Sequence, residues 1–92
     1  MLEREIEKYL YDQAKKHGGL CYKWSSPQCA GVPDRILMLN GTVWFVECKS
    51  STGKLSKLQS KTIDKIRAQG MLVIVVNSKE MVDQLIQHIT NG

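Results

Sequence analysis

"GVPDRILMLNGTVWFVECKS", residues 31–50, contains two short apolar runs separated by Asn40-Gly41. Two acids mark the runs: Asp34 at the start of the first and Glu47 deep inside the second. Asn-Gly between such runs is the strongest short-range hairpin signal, a type I′ two-residue turn. With these two residues as the loop, Leu39 faces Thr42, Met38 faces Val43, Leu37 faces Trp44, Ile36 faces Phe45 and Arg35 faces Val46. One step further, Asp34 faces Glu47. The spacing thus predicts strands over about 34–39 and 42–49, with the two acids as a cross-strand pair whose Cβ atoms lie roughly 5 Å apart. Strand alternation puts Lys49 on the same face as Glu47.

Two carboxylates at that distance repel, and burial penalises both, so one of them must hold its proton unusually tightly or a cation must meet them. A bridging divalent ion removes the conflict. Hard oxygen ligands from a few carboxylates, completed by water, suit Mg²⁺ or Mn²⁺ better than zinc. Lys49 beside them supplies a positive charge for a phosphate oxygen or an attacking water. These are the parts that metal-assisted phosphodiester hydrolysis needs. Taken singly each motif has a plainer account, since Pro-Asp can simply open a strand and Glu-x-Lys can be a surface ion pair. The combination is what carries specificity.

The 92-residue length predicts one domain over 1–92 with a single core. Hydrophobic residues at 42% and charged residues at 24% are ordinary globular composition and argue against a disordered chain. The longest apolar run, "MLVIVV" at 71–76, is too short to cross a membrane. "MLEREIEKYL" at the start is acidic and amphipathic, unlike a secretory signal, so the expected location is the cytoplasm. The net charge of +4 favours a polyanionic partner. Much of it sits in "KSSTGKLSKLQSKTIDK", where Lys49, Lys54, Lys57, Lys61 and Lys65 meet a single acid, Asp64. Lys54, Lys57 and Lys61 are the candidate phosphate contacts. Cys21, Cys29 and Cys48 have no C-x-x-C spacing, so neither a zinc site nor a disulfide is expected. Cys48 should pack as a small apolar residue.

Apolar spacing at Ile6, Leu10 and Ala14 predicts a helix over 2–17, stopped by Gly18-Gly19. "LCYKW", 20–24, is a short strand, followed by a Ser/Pro/Gly-rich loop. Tyr22 and Trp24, at the edge of that loop, are candidates to stack on an exposed base. A second helix is predicted over 55–69, with Leu55, Leu58, Thr62, Ile66 and Ala68 inward and Ser56 or Ser51 as N-cap. "MLVIVV" reads as a strand buried on both faces. A last helix, capped by Asn77 or Ser78, turns Met81, Val82, Leu85, Ile86 and Ile89 inward. The order α-β-β-β-α-β-α predicts an α/β fold: a mixed sheet flanked by helices, with the fourth strand parallel to a neighbour.

"GVPDR" followed by "VWFVECKS" closely resembles the VRR-NUC (virus-type replication-repair nuclease) family of the PD-(D/E)XK nuclease superfamily. Pro33-Asp34 matches the PD element and Glu47-Cys48-Lys49 the (D/E)XK element. "EREIEKYL", "GGLCYKWSSPQCAGVPDR", "KLSKLQ" and "AQGMLVIVVNSKE" extend the likeness over most of the chain. The resemblance implies a restriction-endonuclease-like core and a nuclease dependent on Mg²⁺ or Mn²⁺. Asp34 and Glu47 would ligate the metal with the Cys48 carbonyl, and Lys49 would position the nucleophilic water. It also implies a glutamate from the first helix. Glu3 best fits the spacing Glu-x-x-Ile-x-x-x-Leu, and Glu7, one turn on, is the alternative. Gln59 matches a glutamine that reaches back to the site.

The leading functional expectation is a structure-selective endonuclease on branched DNA, a Holliday-junction resolvase acting as a homodimer. Leu37, Leu39, Trp44, Val46, Met81, Leu85 and Ile89 are candidates for surplus apolar surface that would form the dimer. The alternatives are a monomeric flap or nicking nuclease and a non-catalytic DNA-binding module. Opposed acids count against the module, which has no need for them. A sequence-specific restriction role is not expected, because so short a chain has no room for a recognition domain.

Overall fold

The computed structural model describes residues 1–91. The hairpin forms as its turn chemistry dictates: Asn40 (φ 53°) and Gly41 (φ 77°) both occupy the left-handed region that a type I′ turn requires. Seven elements follow in order: α1 (Glu3–Lys16), β1 (Leu20–Lys23), β2 (Arg35–Leu39), β3 (Thr42–Cys48), α2 (Lys57–Ala68), β4 (Leu72–Val76) and α3 (Lys79–Asn91). The sheet runs β1-β2-β3-β4, antiparallel except for the parallel β3–β4 pair. The crossover through α2 delivers that parallel partner.

The β2–β3 register is Leu39↔Thr42 through Arg35↔Val46, as the turn predicts. Pleat alternation then divides the sheet into two faces. One carries Leu37, Leu39, Val46, Cys48 and Val76, all buried against Ile6, Leu10 and Ala14 of α1 and Val82, Leu85, Ile86 and Ile89 of α3. The other carries Ile36, Phe45, Glu47 and Val73 and lies toward α2, whose buried residues are Thr62 and Ile63. Among the described residues no helix is long and apolar enough to cross a membrane.

Three expectations are corrected. "MLVIVV" is not buried on both faces: β4 is an edge strand, and Met71 and Leu72 are 49% and 44% exposed. The apolar run alone cannot distinguish an edge from the centre, which is fixed by strand order. In α2 the inward residues are Thr62 and Ile63, whereas Leu58 is 51% exposed and Ala68 is exposed. The helix packs on the 24–33 loop as well as on β4, with Thr62 Oγ1 donating to the Ala30 carbonyl at 3.2 Å, and this turns it from the predicted stripe. Finally, Leu37, Leu39, Val46, Leu85 and Ile89 are buried within this one chain, and half-buried Trp44 and Met81 pack on the same core. The surface nominated for a dimer is consumed by the monomer's own core.

Candidate active site

The chain's ends of β2 and β3 bring the site together. Glu47 sits one residue from the end of β3 and is 1% exposed. Its Oε2 accepts a hydrogen bond from Gln59 Nε2 at 3.1 Å and lies 3.5 Å from Lys49 Nζ. Its Oε1 is buried without a partner. Burial, and then the Asp34 charge, push the Glu47 carboxyl from 4.5 to about 7, against the opposing pull of Lys49. A buried carboxylate oxygen with nothing to bond costs the fold free energy. Such an atom in a native structure calls for an explanation.

Asp34 lies just outside β2, in a bend, so the ladder ends at Arg35 and the opposed strand pair with Glu47 does not extend to it. Its Oδ2 instead accepts the Cys48 N–H at 2.9 Å. The carboxylate is thereby held beside the β3 terminus, close enough to raise the Glu47 pKa. The sequence arithmetic finds the neighbourhood but misses this bond, because it assumes that both strands stay regular to the end. Cys48 is fully buried, and burial pushes its thiol above the usual range, so the thiol stays protonated and only its carbonyl remains a candidate donor to a metal.

Gln59 owes its place to the start of α2. Ser56 is the N-cap: its Oγ accepts the Gln59 N–H, and Gln59 Oε1 accepts the Ser56 N–H, both at 3.0 Å. This reciprocal capping box fixes the amide so that its NH₂ donates to Glu47. Of the two candidate caps, Ser56 is thus the one used.

The two helix acids diverge. Glu7 Oε2 accepts from Arg35 Nε at 2.8 Å and lies 3.8 Å from Lys23 Nζ. Arg35 lies on the α1–α3 face of the sheet, opposite to Glu47, so Glu7 is drawn away from the acids. Glu3 is exposed at the first position of α1 and adds the smallest of the contributions that raise the Glu47 pKa. The Arg35–Glu7 pair was legible in principle, since a cation inside an apolar strand needs a carboxylate. Lys54, Lys57 and Lys61 are all exposed.

The donor set fits a hard divalent cation. Asp34 and Glu47 offer carboxylates, and the unpartnered Glu47 Oε1 is the kind of oxygen a dication satisfies. Among the described residues no three His, Cys, Asp or Glu side chains gather into a cage. One or two carboxylates plus water is the ordinary Mg²⁺ pattern, in contrast to an all-protein cage.

A mixed sheet that brings two acids and a lysine together at the open end of an antiparallel hairpin offers the parts that metal-assisted phosphodiester hydrolysis needs. The VRR-NUC domain family model matches residues 10–80. A phage protein named "Putative nuclease p44", from Acyrthosiphon pisum secondary endosymbiont phage 1, is 41% identical over 80 residues, 86% of each chain. A solved structure described as a VRR_NUC domain superposes with a TM-score of 0.84 at 34% identity, covering 94% of this chain and 95% of that one. The chain belongs to the VRR-NUC domain family.

Proposed function

We propose that this protein is a metal-dependent DNA endonuclease that acts on branched DNA, four-way junctions above all, as a two-fold homodimer. The observation that carries the hydrolytic reading is Glu47: a buried carboxylate with one unpartnered oxygen, flanked by Asp34 and Lys49. Family membership and the phage nuclease relative support nuclease chemistry.

In this reading Asp34, Glu47 and the Cys48 carbonyl would hold the metal, with Glu3 assisting from α1. A bound Mg²⁺ or Mn²⁺ supplies Lewis acidity at the scissile phosphate and favours ionisation of water near neutral pH. Lys49 orients the attacking water and balances charge that builds on the phosphate oxygens. Gln59 holds Glu47 in place through its Oε2, and the unpartnered Oε1 is the oxygen that would serve a cation. Water oxygen adds to phosphorus and one P–O ester bond breaks, giving a phosphate monoester and a hydroxyl. Lys54, Lys57 and Lys61 draw the backbone to the site without reading bases.

One chain offers one such site and cuts one strand. Resolving a junction takes two symmetric cuts, which a C₂ pair provides. The open edge of β4, with exposed Met71 and Leu72 beside it, offers apolar surface to a second copy. Cleavage of a labelled panel of junctions, flaps, bubbles and duplexes tests the substrate, with light scattering on a sizing column for the assembly. Paired cuts in the junction by a dimer are expected. A monomer that cuts flaps and leaves junctions whole would overturn the resolvase reading and keep the nuclease one.

A further inference from the structure

The sheet face that carries Glu47 also carries Trp24. The Trp24 backbone N–H donates to the Asp34 backbone carbonyl at 2.9 Å, just beyond the last β1–β2 pair, Lys23↔Arg35, and so fixes Trp24 beside a site acid. The indole packs against Phe45, with centroids 5.2 Å apart and planes tilted by 43°. It also lines a groove of about 500 Å³ between the 24–33 loop and α2, together with Val32, Thr62, Lys65, Ile66 and Gln69. That volume lies within the range of small-molecule sites, roughly 300–1,000 Å³.

The groove is built rather than incidental. Thr62 ties the loop to α2 through Ala30. Gly31, at φ +85°, lies so near the helix that an added Cβ would sit 3.2 Å from the Gln59 backbone N and Cα. The same short segment of α2 therefore sends Gln59 to Glu47 and Thr62 into the groove, three residues or about 4.5 Å further along the axis. Lys57, Lys61 and Lys65 follow each other at i, i+4 and i+8 on α2, a stripe about 12 Å long that ends at the groove. Among the described residues lining the groove none is acidic, while Gln69 and Ser26 add polar atoms. An aromatic wall with polar groups beside it, at the end of a cationic stripe, suits a planar ring attached to a polyanion.

We propose that this groove is a nucleobase subsite, in which one unpaired base of the substrate strand stacks on Trp24 while its backbone follows Lys57, Lys61 and Lys65. The proposal rests on the nuclease reading and deepens it. A base stacked within the duplex has its faces covered and cannot enter, so the groove favours DNA with a nucleotide next to the scissile bond that is unpaired, as in a flap, or that unstacks at a junction's branch point. Base–aromatic stacking contributes about 1–3 kcal/mol per base, which is about 5- to 150-fold in affinity.

The test uses Trp44→Phe, which leaves Trp24 as the single indole of the chain; Trp44 lies on the opposite sheet face. Metal-free protein is titrated with a single-stranded thymidine oligonucleotide and with a duplex of equal length. Quenching of Trp24 emission by the single strand, and not by the duplex, is expected. Trp24→Leu, which keeps an apolar group against Phe45, should lose about 5- to 150-fold in affinity for the single strand and distinctly less for the duplex. Absence of binding, emission unchanged at saturation, or equal losses on both DNAs would overturn the subsite. Cleavage by the wild type with Mg²⁺ is read separately: if no DNA of any form is cut, the nuclease reading falls, and the titration still decides the subsite.

Discussion

Gln59, in the first turn of α2, donates to Glu47 Oε2 at 3.1 Å while its own Oε1 accepts the Ser56 N–H. One side chain thus caps a helix and holds a site acid. Gln59→Glu should keep the cap, since a carboxylate accepts the Ser56 N–H as an amide oxygen does, and break the bond to Glu47, against which it sets a third carboxylate. It should lower cleavage by about 10²-fold or more, in the range that loss of one preorganised group costs. Ser56→Ala removes only the cap. It should lower stability by about 0.5–2 kcal/mol in denaturant unfolding and reduce cleavage less than Gln59→Glu does.

Glu47 gives the metal-free protein a particular pH dependence. Its folded pKa, about 7, lies above its ordinary 4.5, so the folded state binds this proton more tightly than the unfolded state. The contribution is full below about 4.5 and is lost as pH rises through about 7, a swing on the order of 1–3 kcal/mol. Glu47→Gln lacks that titration. In a chelator, its melting temperature should exceed the wild type's by a margin that widens across this window. A margin that does not change with pH would contradict the assignment.

Glu3 and Glu7 should separate by phenotype. Glu7→Gln weakens the partly buried pair with Arg35, whose Nη1 also donates to the Cys21 carbonyl, and should lower stability by about 1–3 kcal/mol. Glu3→Gln alters an exposed acid and should leave stability within about 0.5 kcal/mol while weakening Mn²⁺ binding measured by calorimetry. The reverse pattern would return Glu7 to the metal.

Binding to DNA without metal should weaken steeply with salt and show little base preference. If Lys54, Lys57 and Lys61 each contact a phosphate, replacing any one by Ala should reduce the slope of log K against log salt by about 1. Slopes unchanged in all three variants would make the stripe ordinary solvated surface.

The parts of this fold readable in the sequence are those set by local chemistry. Asn40-Gly41 fixes a turn, the turn fixes the register, and the register carries Glu47 and Lys49 to one face. Ile6, Leu10 and Ala14 mark their own buried stripe. What escaped depends on non-local placement. "LVIVV" has the same apolarity at an edge as at a centre, and only strand order leaves Leu72 exposed. Leu58 gives way to Ile63 because α2 must also cover the 24–33 loop. The Asp34 bond to the Cys48 N–H arises where the ladder stops, beyond the reach of a periodic rule. Likewise, apolar residues such as Leu37 and Leu85 look like surplus in a sequence and turn out to be core.

In the proposed mechanism, metal-dependent cleavage turns on Glu47 as a buried oxygen donor. The most direct test is cleavage of labelled DNA by wild type and Glu47→Gln, each with Mg²⁺ and with a chelator, after circular dichroism shows both to be folded. The wild type should cut only with Mg²⁺, and Glu47→Gln should leave the DNA whole under both conditions. Cutting by Glu47→Gln at the wild-type rate, or by the wild type in the chelator, would show that Glu47 holds no metal on which cleavage depends.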